Sequence, residues 1–220
     1  MTSAGRAAGS RLAVAGVAVL LLALGLVALM VVRPSSASSS GSGAASEAAR
    51  SAPADGSVDA GFARDMSVHH QQAVEMSFIV RDRTDDEEVR RLAYDIINTQ
   101  ANQRGMMLGW LELWGLAKSS PVPPMRWMGH TFTPHDGALM PGMATDTQLD
   151  ALRAAKGEEA EILYLRLMTA HHTAGAEMAQ AAADSATTDA ITNLAAGMVR
   201  GQRSEIALMA DMLRERGAKA

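Results

Sequence analysis

One stretch of this chain occurs twice. Residues 62–116 align with residues 164–218 at a constant offset of 102 positions and without a gap. Thirteen of the 55 aligned pairs are identical, among them Met66/Met168, His69/His171, His70/His172, Met76/Met178, Gln100/Gln202, Met107/Met209 and Gly115/Gly217. Ala-rich helices match one another by chance at scattered positions. They do not by chance repeat the ordered string Met-x-x-His-His-x4-Glu-Met, which runs from Met66 to Met76 and again from Met168 to Met178. A duplicated unit folds as two like structures, so the form of one copy constrains the whole domain.

Each copy reads as two helices. Aromatic residues make up only 4% of the chain, and β-branched runs are few, which favours helix over strand. The first helix is expected from about Asp59 to Arg81. Thr84 and Glu87 have the spacing of a capping box that opens a second helix, ending near Trp114 with Gly115 as its left-handed stop. The second copy predicts helices over about Glu158–Ala183 and Thr188–Arg216, stopped by Gly217. Two αα-hairpins make an all-α four-helix bundle. The connector, residues 117–157, is rich in Pro and Gly through Met143, and Thr147-x-x-Asp150 then resembles the start of a short helix. A connection of this length often carries a function of its own.

On a wheel of about 100° per residue, Met66, His69, His70, Ala73 and Met76 fall within about 120°, and Phe62 joins them. Glu75 and Glu177 point to the opposite side and read as surface or ion-pair residues. A lone histidine on such a stripe is usually a core residue held by a hydrogen bond. Two adjacent histidines, repeated and flanked by methionine, are a different matter. Burying four imidazoles is costly unless every nitrogen has a partner, and a metal ion is such a partner. The candidate ligands are Met66, His69, His70, Met76, Met168, His171, His172 and Met178. The second helices carry Gln100, Gln103 and Met107, matched by Gln202, Glu205 and Met209, on their apolar faces. These amides and the carboxylate can accept from one ring nitrogen and leave the other free to ligate, or Glu205 can ligate directly. The rival reading is that all these polar groups only set helix register.

Thioether and imidazole without thiolate favour a soft or borderline ion: Cu(I), then Cu(II), with Ag(I) resembling Cu(I). The chain has no Cys, which excludes thiolate zinc sites, Cys-held iron–sulfur clusters and disulfides. Zinc held by histidine alone would leave the methionines unexplained. A di-iron carboxylate centre needs Glu-x-x-His motifs, which neither copy has. Met125, Met128, His130, His135, Met140 and Met143 of the connector form a candidate accessory capture group, with apolar plugging of the bundle as the equal alternative. No nucleophile–base–orienter set and no phosphate loop is present, so no enzymatic activity is expected.

Leu12–Val32 is a stretch of 21 residues without a charge, preceded by Arg6 and Arg11 and closed by Arg33-Pro34. It is long enough to span a bilayer, and its flanking arginines place the N-terminus in the cytoplasm and the rest outside. Residues 1–33 are therefore expected to be a single-pass signal anchor in the cell membrane; cleavage near Ser35-Ser36-Ala37 would instead release a secreted protein. Residues 34–57, mostly Ser, Ala and Gly, read as a flexible linker before a domain at 58–220. That domain holds 16 basic and 22 acidic residues, a formal charge of −6, which suits cations and argues against nucleic acid as a partner. Nothing in the residues identifies a protein partner.

The two Met-x-x-His-His-x4-Glu-Met strings, Gln202-x-x-Glu205-Ile206-x-x-Met209, and Met140-Pro-Gly-Met143 followed by Leu149-x-x-Leu152 together resemble the DUF305 family over about residues 60–216. The resemblance implies an exported or anchored bacterial protein with a ferritin-like helical bundle, in a family some of whose members are linked to copper binding and copper resistance. It extends to Met66, His69, His70, Met76, Met168, His171, His172 and Met178. The first copy departs from the pattern in carrying Gln103 where the second carries Glu205.

Overall fold

The computed structural model describes residues 52–219. These residues form five α-helices and one short 3-10 turn, with no β-sheet among them. Helices α1 (Val58–Arg81) and α2 (Glu87–Leu113) make the first hairpin. Helices α4 (Glu158–Ser185) and α5 (Asp189–Glu215) make the second. The connector contributes the 3-10 turn at Arg126–Met128 and a short helix, α3 (Asp146–Ala154). The hairpins meet chiefly along α1 and α4, the helices that carry the histidine pairs. The expected membrane segment and most of the linker lie outside the described residues. Among those described, no helix is long and apolar enough to cross a membrane.

Helix ends follow local chemistry, in two places differently from the expectation. The N-cap of α2 is Asp86, whose carboxylate accepts from the Val89 amide at 2.8 Å. Thr84, expected there, lies two residues upstream and donates its hydroxyl to the buried carboxylate of Glu161. A carboxylate also suits the positive end of the helix dipole better than a hydroxyl does. Helix α3 is opened by a capping box between Thr145 and Gln148, not by Thr147 and Asp150, because this register turns Leu149 and Leu152 into the core. Gly115 and Gly217 end α2 and α5 with positive φ of 69° and 65°.

The duplication is visible as paired contacts. Arg64 Nε donates to Ala117 O at 2.8 Å, and Arg166 Nε to Lys219 O at 3.0 Å. Asp59 at the start of α1 accepts from the amides and hydroxyls of Thr187 and Thr188, in the turn of the other hairpin. Glu161, its counterpart near the start of α4, accepts from Thr84 in the turn of the first hairpin and from Arg216 at 2.7 Å. Each hairpin thus uses a buried acid to hold the other's turn.

Buried side chains form two clusters. One joins Met168 and Met209 of the second hairpin to Met76 of the first. The other joins Met66 and Met107 of the first hairpin to Met178 of the second, and adds Met125, Met140 and Met198. The exchange follows from the repeat: Met66 and Met76 lie on one stripe but almost three turns apart, so each reaches a different end of the interface.

Candidate metal centre

All four repeated histidines are buried, and they lie together where α1 faces α4. The rings of His69 and His171 stack with centroids 3.7 Å apart at an interplanar angle of 31°. The His171 and His172 ring centroids are 6.1 Å apart. His70 Nε2 lies 2.8 Å from Gln103 Oε1, and His172 Nε2 lies 2.8 Å from Glu205 Oε2. These two bonds are repeat mates. The inner pair breaks the symmetry: His171 Nε2 donates to the main-chain oxygen of His69 at 2.9 Å, whereas His69 Nε2 faces Pro141 O of the connector at 3.4 Å.

One nitrogen on each ring is thereby occupied. The Nδ1 atoms of His69, His70 and His172 are buried without any hydrogen-bond partner, as are the Oε1 atoms of Gln100 and Gln202. An orphaned buried acceptor has a desolvation cost of about 1–3 kcal/mol. Three such imidazole nitrogens belong to the buried histidines of α1 and α4. Glu205, a carboxylate, can only accept, so the bond to Glu205 puts the proton of His172 on Nε2 and leaves the Nδ1 lone pair open.

Burial keeps the His69, His70 and His171 imidazoles neutral. Desolvation lowers His69 from 6.5 to about 3, and the neighbouring His70 and His172 push it in the same direction. His70 falls to about 4, again chiefly by desolvation, against which the Gln103 bond acts. His171 is lowered well below its ordinary value by desolvation and by the other three rings. Neutral imidazole is also the form that can ligate a metal ion. Met66, Met76, Met107, Met168, Met178 and Met209 are all fully or almost fully buried in the two clusters on the same helices. Among the described residues, no three His, Asp or Glu side chains already converge to hold an ion.

The structure divides the connector residues. Met125 and Met140 are buried in the second cluster, and Met128 and Met143 pack half-buried against it. His130 and His135 are exposed and stand apart from the other histidines. Two anchors set this arrangement, neither evident from sequence. Asp65 accepts from the Met125 amide at 2.8 Å and from Trp127 Nε1 at 2.9 Å, and Gly61 leaves room for the Trp127 ring. Gly142, at φ +75°, lies so close to α4 that a Cβ would stand 2.5 Å from the Ala174 Cβ and 2.7 Å from Ala170 O. This brings the Met140–Met143 strap over His69. A glycine between two methionines was the one signal of it in the sequence. Glu75 pairs with Arg153 of α3 at 2.5 Å, away from the histidines, and Trp110 and Trp114 pack against the second cluster.

No curated protein matches the chain. Among solved structures, a DUF305 protein of Streptomyces coelicolor is 62% identical, with a TM-score of 0.71 over 76% of this chain and 98% of that one. A DUF305 fragment of Deinococcus radiodurans is 29% identical, with a TM-score of 0.60 over 72% of this chain and 96% of its own. CopM in its Cu(II)-bound form is 25% identical, with a TM-score of 0.56 over 72% of this chain and 97% of CopM. The family model described as "Domain of unknown function (DUF305)" matches residues 59–213. On that match, and on the repeated helical hairpins that fill the same span, this chain belongs to the DUF305 family.

Proposed function

We propose that this protein binds copper, as Cu(I) above all and also as Cu(II) or Ag(I), in the layer between α1 and α4, and that it sequesters or delivers the ion without catalysing a reaction. The observation that carries the reading is the set of three buried imidazole nitrogens without partners, on helices that also bury methionine sulfurs. His69, His70, His171 and His172 supply imidazole, and Met66, Met76, Met168 and Met178 supply thioether. Gln103 and Glu205 orient the outer rings. Met107, Met209, Gln100 and Gln202 line the same interior, and Met125, Met140 and Met143 form the approach from the connector. A mixed nitrogen–sulfur set selects a soft ion over Mg(II) or Ca(II). Copper in CopM, a relative of the same fold, supports the reading. Leu12–Val32 would anchor the domain outside the cytoplasm, where methionine and histidine serve as ligands without a reducing thiol pool.

A second reading is also backed by an observation. Every repeated histidine has an oxygen beside its Nε2, so the rings can act as register devices between helices. Thermal unfolding of the purified full-length chain with and without Ag(I) separates the two. An ion held by the native state at 100 times its Kd adds about 3 kcal/mol of stability and raises Tm. Unchanged Tm with both Ag(I) and Cu(I) would leave only the register reading.

A further inference from the structure

The outer histidines of the two halves occupy matching places but are held by different partners. His70 bonds a neutral amide, Gln103; His172 bonds a carboxylate, Glu205. The distances are the same, 2.8 Å, so the difference is charge and not geometry. We propose that Glu205 is the specificity-determining residue of the site. It makes the His172 half competent for a divalent ion, while the His70 half takes only a soft monovalent one. The proposal rests on metal binding at this layer, as argued above.

Three features of the chain support it. A carboxylate fixes the His172 tautomer, whereas an amide can present either its oxygen or its NH2 to His70 and leaves that tautomer unset. Removing such a partner from a ligating histidine costs about 10–100-fold in metal affinity. The carboxylate also places a negative charge behind the His172 ring, and its attraction for a divalent ion is twice that for a monovalent one at the same distance. Glu205 is a quarter exposed, so it stands where an arriving hydrated cation meets the layer.

The test uses the purified full-length chain and the variants Glu205→Gln and Gln103→Glu, each titrated with Cu(II) and with Ag(I) against a competing chelator. Glu205→Gln places in the second half the residue the first half already tolerates, and apo melts check that it folds. The expected result is a 10–100-fold loss of Cu(II) affinity in Glu205→Gln with a smaller loss for Ag(I), and a gain of Cu(II) affinity in Gln103→Glu. Nitrogen-15 NMR of the apo protein should show a single Nε2–H tautomer at His172 and a mixture at His70. Equal weakening of both ions, or no weakening, would overturn the proposal while metal binding itself stands. If the unmodified chain binds neither ion, metal binding fails first. A mixed tautomer at His172 in the apo protein would count against Glu205 without reference to any metal.

Discussion

Lowering the pH below the ordinary histidine range should already destabilise the apo protein, before its carboxylates begin to titrate. In the unfolded chain His69, His70 and His171 take up protons near pH 6.5; in the fold His70 does so only near 4, His69 near 3, and His171 far below its ordinary value. Between these limits the unfolded state binds more protons than the native one, so stability falls as pH falls. The sign is that of a depressed histidine: full stability above about pH 6.5, and progressive loss below it. At pH 5, each buried neutral ring has lost about 1.5 pH units of linkage, or about 2 kcal/mol. Three rings together remove about 6 kcal/mol, against a typical domain stability of about 5–15 kcal/mol. The midpoint of acid unfolding is therefore expected between about pH 4 and pH 5. Urea melts followed by far-ultraviolet circular dichroism, with chelator present, at pH 7, 6, 5 and 4.5 would measure it. A stability unchanged between pH 7 and pH 5 would refute the claim that these rings are buried and neutral.

Replacing Met66 and Met168 by Leu, close in volume, should change apo stability by less than about 1.5 kcal/mol yet weaken Ag(I) binding in a chelator competition; unaltered binding would remove thioether from the ligand set. Gly142→Ala forces a Cβ into Ala174 and Ala170 O at φ +75°, and should cost about 1–3 kcal/mol and speed proteolysis of the connector, read by urea melts and limited digestion. Asp59→Ala strips the partners from the amides and hydroxyls of Thr187 and Thr188, so a loss of about 2–3 kcal/mol is expected in the same melts.

The hairpins were legible because their information is local and stated twice. Apolar period, capping residues and terminal glycines specify a helix from its own sequence, and the repeat supplied a second reading of each. Where a cap was misplaced, a distant group had taken the residue: Thr84 looks like a cap until Glu161, 77 residues away, accepts its hydroxyl. The same limit applies to the centre. That His69, His70, His171 and His172 share interior faces follows from spacing along single helices. That Gln103 and Glu205, and not Gln100 and Gln202, hold the outer rings depends on the axial shift between helices, which no periodicity reports.

By itself, then, the sequence determined an all-α duplicated domain, the stripes that carry imidazole and thioether, and the lack of thiolate chemistry, because each follows from residue type and helical period alone. Only the tertiary structure decided which rings stack, which nitrogens go without a partner, and which methionines of the connector enter the core while His130 and His135 stay outside. Those are outcomes of how two helices slide and rotate against each other, settled by packing over the whole interface rather than by any short run of residues.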